Sequence, residues 1–517
     1  MALSLPRRVH RVLLGLGALV AVASSGLPVL SAQAAAQGPC DLYAAGGTPC
    51  VAAHSTTRAL YGSYTGALYQ VLRASDNATR DVAPLSAGGV ANAAAQDAFC
   101  AGSSCVISVV YDQSGRGNHL TPAPPGDFSG PAAGGYDNPA NAIAAPVSVG
   151  GRSAYGIFVT PGTGYRDNST NGIATGDRPE GMYAILDGTH HNSGCCFDYG
   201  NAETNARNNG NGTMEALYFG TSTSWGYGSG NGPWIMADME NGLFSGVNQR
   251  YNANDPSISH RFLTATLKGE PNHWAIRGGN AQSGGLSTFY DGVRPNAAGY
   301  NPMKKEGAIV LGIGGDNSIS AAGTFYEGAM TSGYPSSATE NAVQANIVAA
   351  GYATRSVAGP FTAGARISLQ ATTGCCATEY LRSSASSDDV RIARVTASSP
   401  AAEKADATWI VRPGLADSSC VSLESAKASG RYLRHYDYRI RLEANDGSSV
   451  FGRDATFCPT AGNSGQGYSL RSSNYTTRYL RHYDHAVYIA SNGGSGSWNA
   501  AAHWADDSSW LAVGPWS

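Results

Sequence analysis

Charge is scarce in this sequence. Only 14% of its 517 residues are Asp, Glu, Lys or Arg, against roughly 25% in an average soluble domain. The 34 basic and 37 acidic residues leave a net charge of −3. A nucleic-acid binder normally carries a basic patch or a raised pI, so no nucleic-acid partner is expected. Long apolar runs are missing beyond the N-terminus, and a bilayer span needs about 20 such residues. Good helix formers are diluted by 66 Gly, each costing about 1 kcal/mol relative to Ala inside a helix. Coiled coils, helix bundles and multi-span membrane proteins are thereby excluded. Disorder is excluded too, because 42% of residues are hydrophobic and 27 are Tyr. No C-x-x-C pairing with downstream His spacing exists, so no zinc site is expected. The Gly-rich stretch Asp112-Gln113-Ser114-Gly115-Arg116-Gly117 lacks the Lys of a phosphate loop. No metal and no cofactor are expected.

The one apolar run is N-terminal. Arg7, Arg8 and Arg11 precede an apolar segment over 13–23, and A-x-A patterns follow at Ala32-Gln33-Ala34 and Ala34-Ala35-Ala36. This reads as a secretory signal over 1–36, too short for a membrane anchor. A secreted, extracellular and monomeric protein starting near Gln37 is expected, free of the membrane once cleaved. Export makes ten Cys legible as up to five disulfides. Cys40 with Cys50 and Cys100 with Cys105 are close pairs, and Cys420 with Cys458 is the distant one. The doublets Cys195-Cys196 and Cys375-Cys376 either bond outward or close on themselves, and spacing leaves both open.

From Cys40 to about Tyr352, short β-rich runs alternate with Gly, Asn, Ser and Pro turns, including 106–111, 181–186 and 308–313. This texture suggests a sandwich or barrel over 37–354. A helix is expected over 339–350, and a linker over 355–364 containing Pro360. Residues 365–517 hold an internal repeat. Tyr432-Leu433-Arg434-His435-Tyr436-Asp437 recurs at Tyr479-Leu480-Arg481-His482-Tyr483-Asp484, with a weaker copy at Tyr380-Leu381-Arg382-Ser383. Downstream of each copy stands an Asp-small-Thr/Ser-aromatic motif, at Asp406, Asp454 and Asp507. Three β-rich repeats suggest a closed β-trefoil. His and Asp can hydrogen-bond sugar hydroxyls while Tyr offers an apolar face. Two working sugar sites follow, at His435 with Asp454 and at His482 with Asp507. Ser383 leaves the first site damaged or absent.

Cleaving a glycosidic bond takes a pair of carboxyls. Trp234-Ile235-Met236-Ala237-Asp238-Met239-Glu240 reads as one strand, with Ile235, Ala237 and Met239 facing the core and Asp238 and Glu240 sharing the other face. Gly314-Gly315-Asp316-Asn317 follows an apolar strand, as either a ligand-approach loop or a plain turn. Trp225 reads as a stacking ring or a core Trp. His190-His191 reads as a site edge or a loop. Asn77, Asn168, Asn211 and Asn474 stand in glycosylation sequons.

Together, Cys195-Cys196-Phe197-Asp198-Tyr199-Gly200-Asn201, Trp225-Gly226-Tyr227-Gly228, Asp238-Met239-Glu240-Asn241 and Gly314-Gly315-Asp316-Asn317 resemble glycoside hydrolase family 54. Its members are secreted α-L-arabinofuranosidases of the type B kind. The C-terminal repeats resemble their family 42 carbohydrate-binding module, an arabinofuranose-binding β-trefoil. The resemblance spans the whole chain from Gly38 onward. It implies an all-β protein, a lectin-like jelly-roll β-sandwich followed by the trefoil. It implies Glu240 as nucleophile and Asp316 as acid/base. Asp238, Asn241, Gly315 and Trp225 become sugar-binding positions, and Cys195 and Cys196 a mutual disulfide packed on the sugar. The implied reaction is a retaining, exo-acting release of terminal arabinofuranosyl side chains from arabinoxylan or arabinan, with arabinose-containing plant cell-wall polysaccharides as partners. It would require an ionised Glu240 and a protonated Asp316. The competing readings are a non-catalytic arabinose-binding lectin and an exo-furanosidase or xylosidase of other specificity. Ser383 departs from the family pattern, and no role is implied for Cys375-Cys376.

Overall fold

The computed structural model describes residues 37–100, 105–354, 360–384, 387–418, 420–464 and 467–517. Residues 1–36 of the expected secretory signal and residues 355–359 of the expected linker lie outside them. The fold is mostly β, 41% strand and 11% helix. No described helix is long and apolar enough to cross a membrane.

Up to Thr354, two antiparallel sheets share one core. The larger has the twelve-residue strand Glu180–His191 at its centre, flanked by Leu263–Glu270 and Gly323–Ser332. The smaller runs in the order Leu243–Phe244, Trp234–Asp238, Glu215–Gly220, Asp198–Ala202, Ala308–Leu311, Tyr165–Asp167, Thr121–Pro122. Side chains alternate across a strand, and this smaller sheet obeys the rule. Tyr199, Leu217, Phe219, Ile235, Ala237, Ile309 and Leu311 enter the main core with Met182, Leu186, Leu263 and Phe325 of the larger sheet. The ladder pairs Asp198 with Tyr218, Tyr218 with Met236, and Ala216 with Asp238. Those residues occupy the opposite face, where the acids gather.

The expected helix forms as Ser337–Ala350, with Ser336 accepting the Thr339 N–H at its start and Gly351 in a left-handed conformation at its end. The short helices Pro39–Ala45 and Ala93–Phe99 carry no pattern long enough to foretell them. Cys40–Cys50, Cys100–Cys105 and Cys420–Cys458 are bonded as expected, and each doublet closes on itself.

From Arg366 onward the strands form a closed barrel. A ring runs Arg366–Ala371, Trp409–Pro413, Val421–Ser425, Phe457–Ala461, Tyr468–Ser472, Trp510–Val513 and back to the first. Three hairpins attach to it, Glu379–Ser383 with Val390–Arg394, Arg431–Tyr436 with Arg439–Ala444, and Tyr479–Tyr483 with Ala486–Ala490. The repeat explains this symmetry. Leu381, Leu433 and Leu480 are fully buried in one core with Trp409, Phe457 and Trp510. The indole N–H groups of Trp409 and Trp510 donate to the Leu381 and Leu480 carbonyls, both at 3.0 Å. The repeated Leu and aromatic are thus core, while the neighbouring Arg, His and Asp serve the surface. Described strands on the two sides of residues 355–359 do not pair with each other.

Candidate active site

The strand Trp234–Asp238 ends two residues before the sequence pattern does. Its core face is as expected, with Ile235, Ala237 and Met239 in the main core. Trp234 and Met236 pack on the other face with Cys196 and Tyr218. Glu240 lies beyond the strand, so a turn rather than period-two alternation aims it. Glu240 and Asn241 adopt left-handed φ values of 59° and 55°, uncommon for residues with a Cβ and concentrated at functional sites. The Glu240 N–H donates to Asp238 Oδ1 at 3.0 Å, and the Tyr300 hydroxyl donates to the Glu240 carbonyl at 2.9 Å. Asn208 and Asn211 hold the Asn241 side chain.

The second acid comes from the far side of the same sheet. The strand Ala308–Leu311 runs into the loop carrying Gly314, Gly315 and Asp316. The Ser318 N–H donates to Asp316 Oδ1 at 2.8 Å, and the Asp316 carbonyl accepts from the Asp127 N–H at 3.1 Å. Buried Arg166 donates to the Gly315 carbonyl at 2.7 Å and also to the Glu203 carbonyl. A Cβ on Gly315 would stand 2.0 Å from Glu203 Oε2. Glycine here lets the loop close directly over that carboxyl, which a side chain would have to displace.

Cys195, Cys196, Trp225, Asp238, Glu240, Asn241, Gly315 and Asp316 all line one cavity of about 160 Å³. Trp225 is 39% exposed, a rim ring rather than a core one. An Asp238 carboxyl oxygen lies within 4.8 Å of both disulfide sulfurs. Sequence reasoning missed Asn208, Leu243 and Ser318 in the lining, and the acids behind it. Asp198, inside the quoted cysteine motif, is buried next to Asp238, and Glu203 lies against Glu240. Thr213 donates to Glu203 Oε1 at 2.6 Å. Five carboxyls therefore crowd one small site, with Arg166 as their buried neighbouring cation.

Burial is the main cause of the resulting shifts, followed by mutual repulsion. Burial, then Glu203, Asp238 and Asp316, push Glu240 up to about 10. Burial chiefly pushes Asp238 up to about 7, and burial with the Asp238 charge raises Asp198. Burial lowers Arg166 to about 10 against the pull of Glu203, Asp316 and Glu240. Burial and the neighbouring acids thus favour the protonated form of Glu240. Such a site holds two carboxyls of different exposure, Glu240 buried and Asp316 half-buried. It can deliver a proton and an attacking carboxylate to a small neutral ring.

His190 and His191 are strand residues of Glu180–His191, outside this cavity. In the C-terminal ring, His435 Nε2 lies 2.9 Å from Asn474 Oδ1, and Asn474 Nδ2 donates to Asp454 Oδ1 at 2.7 Å. His482 Nε2 lies 3.0 Å from Thr373 Oγ1, which donates to Asp507 Oδ1 at 2.8 Å. Arg434 and Arg481 brace the two aspartates. In the first repeat Ser383 replaces His, and Lys427 Nζ sits 2.8 Å from Asp406 Oδ1. Thr373, Lys427 and Asn474 each stand two residues past a ring strand, so the three places are equivalent, and in the first an ammonium stands where the others carry an uncharged side chain. The Cys375–Cys376 disulfide follows Thr373 in its loop.

Residues 39–353 match the family "Alpha-L-arabinofuranosidase B, catalytic", and 369–512 match the "Alpha-L-arabinofuranosidase B (ABFB) domain". The chain is 62% identical to the alpha-L-arabinofuranosidase B of Aspergillus oryzae, covering 93% of this chain and 96% of that one. It is 65% identical to the arabinofuranosidase/B-xylosidase of Trichoderma koningii, covering 84% and 87%. A crystal structure of an arabinofuranosidase complexed with arabinofuranosyl-alpha-1,2-xylobiose aligns over 93% of this chain and 100% of that one, at 57% identity and a TM-score of 0.75.

Proposed function

This chain belongs to the α-L-arabinofuranosidase B family, glycoside hydrolase family 54 with a C-terminal family 42 carbohydrate-binding module, and acts on arabinofuranosides; from that premise we propose a retaining, exo-acting enzyme that removes terminal arabinofuranosyl units from arabinoxylan or arabinan outside the cell. The supporting observation is the convergence of all eight expected residues on one cavity of about 160 Å³. That is well below the roughly 300–1,000 Å³ of sites for larger ligands, and suits one terminal furanose unit.

In this reading Glu240 attacks the anomeric carbon and Asp316 protonates the leaving oxygen, then deprotonates the incoming water. The reaction then starts with a proton on Glu240, where burial and the neighbouring acids favour it. Moving that proton to Asp316 leaves the total charge unchanged and creates both reactive forms at once. Asp238 and Asn241 bind ring hydroxyls, while Trp225 and the Cys195–Cys196 disulfide seat the apolar face. The two-sheet unit over 37–354 is read as a jelly-roll sandwich, and 365–517 as a β-trefoil joined to it by a linker over 355–364. The trefoil holds arabinose-bearing polymer through His435 with Asp454 and His482 with Asp507, raising the local enzyme concentration on it. Export rests on the signal pattern over 1–36.

The test is one release assay on aryl arabinofuranoside, galactofuranoside and xylopyranoside, with the first-formed anomer followed by NMR. The α-arabinofuranose product supports the reading, and the inverted anomer overturns the retaining step. The xylopyranoside arm matters because the Trichoderma koningii relative is named for both activities.

A further inference from the structure

We propose that the cavity between the two-sheet unit and the C-terminal ring is a second carbohydrate-binding site, taking a neutral pentose oligosaccharide. This cavity measures about 370 Å³, more than twice the catalytic one. Its lining comes from both sides of the chain. Phe158 of the larger sheet meets Tyr479 of the ring at 6.3 Å, and Tyr479 meets Trp504 at 5.6 Å, each pair edge to face. The three rings belong to one apolar cluster. Packed on one another and nearly fully buried, they form the apolar wall of the cavity.

Polar groups in the same lining lack partners within the protein. His190 is fully buried, stacked on Phe158 at 4.0 Å, with Nδ1 engaged by Thr324 Oγ1 at 2.7 Å. Its Nε2 has no hydrogen-bond partner, and neither has Asn492 Oδ1 on the ring side. Both atoms are closed off from solvent as well as unpaired, and an unpaired buried polar atom costs on the order of 1–3 kcal/mol, so a ligand that opens the lining to reach either one with a hydroxyl gains that pairing. Burial lowers the His190 pKa well below its ordinary value, leaving a neutral imidazole. Among the described residues lining the cavity, none carries a charge. A neutral, hydroxyl-rich ligand with an apolar face fits; an acidic sugar or a phosphate does not. The adjoining cavity contrasts with it, being lined by Asp187, Arg261 and Arg471.

The position adds a link to catalysis. Asn192 and Ser320 line this cavity. Ser320 Oγ accepts from the Cys195 N–H at 3.1 Å and donates to the Cys195 carbonyl at 3.0 Å, and Asn192 Nδ2 donates to the Ser320 carbonyl at 2.9 Å. The second cavity thus backs onto the loop whose disulfide walls the first. A polymer held there lies next to the cutting site. Identifying that polymer as arabinoxylan or arabinan rests on the proposed function; the cavity's preference for a neutral oligosaccharide does not.

The experiment is calorimetric titration of the full chain carrying Glu240→Gln, with xylotriose in one arm and α-1,5-arabinotriose in the other. The same titrations are repeated with Asn492→Leu or Trp504→Ala added. Asn492 sits on a loop, so its variant tests the idea even if Trp504→Ala fails to fold. The expected result is a binding component for at least one probe that weakens at least tenfold in the Asn492 variant. Turnover of 4-nitrophenyl arabinofuranoside by Asn492→Leu in the otherwise wild-type chain should be unchanged. Absence of binding in both arms, or binding unaltered by Asn492→Leu, overturns the proposal. Aryl turnover separates that failure from a failure of the catalytic reading.

Discussion

The Glu240 N–H donates to Asp238 Oδ1 at 3.0 Å, tying the last strand residue to the first residue of a left-handed turn. One carboxylate therefore fixes the backbone from which the other projects. Glu240→Gln keeps this bond, because the backbone donates it. Turnover of aryl arabinofuranoside should vanish while polymer binding persists in a pull-down on arabinoxylan. Near-normal turnover would remove Glu240 from the nucleophile role. Asp316→Asn should cost about 10²–10⁴-fold on a poor leaving group and far less on a good one. Equal losses on both substrates would argue against acid/base action.

Glu203 bears on Glu240 through charge. It stands behind Gly315, held by Thr213, and its charge is the largest contribution after burial to raising Glu240. Glu203→Gln removes that charge, so the Glu240 carboxyl loses its proton at lower pH. The basic limb of the kcat/KM profile, where the shared proton is lost, should move to lower pH, with the nucleophile still present. A profile that drops in height without moving would reduce Glu203 to a packing role.

Which parts of this were legible depends on how local the physics is. The core face of 235–239 followed from alternation alone, because Ile235, Ala237 and Met239 keep a period of two. The strand end did not, because Glu240 and Asn241 turn left-handed with no Gly to announce it. Asp316 was findable from its Gly-Gly approach. Glu203 and Arg166 were not, since only the fold brings these separated residues beneath Gly315. The third-site partner Thr373 shows the same limit, lying 109 residues from His482. In the ring, the repeat revealed His435 and His482, but the Lys427–Asp406 ion pair needed the loop geometry.

The carboxyl cluster also makes stability depend on pH. Asp238 titrates near 7 in the folded chain, against about 3.9 unfolded. The native state then holds more protons than the unfolded one across that window. This stabilisation is complete below about pH 4 and is lost as pH rises through about 7. The Tm should fall between pH 5 and pH 8. Asp198, raised by burial and by Asp238, adds to the slope. Asp198→Asn imitates its protonated form, so the decline should become shallower. An unchanged slope in a calorimetric pH series would exclude Asp198 from the linkage.

The Lys427–Asp406 ion pair of the first repeat predicts a countable outcome. Asp406 is buried in the same setting as Asp454 and Asp507, yet its partner is Lys427 rather than His. An ammonium on that oxygen occupies the acceptor a sugar hydroxyl needs, and Ser383 Oγ, 3.3 Å from Asp406 Oδ1, is too short to replace an imidazole. Titration of the Glu240→Gln chain with an arabinose-bearing oligosaccharide should therefore show two ring sites. His435→Ala with His482→Ala should remove both. Ser383→His with Lys427→Asn rebuilds the trio found at His435, Asp454 and Asn474, and should raise the ring stoichiometry to three. Three ring sites in the Glu240→Gln chain alone would mean that Lys427 swings aside and that the first repeat binds without its His.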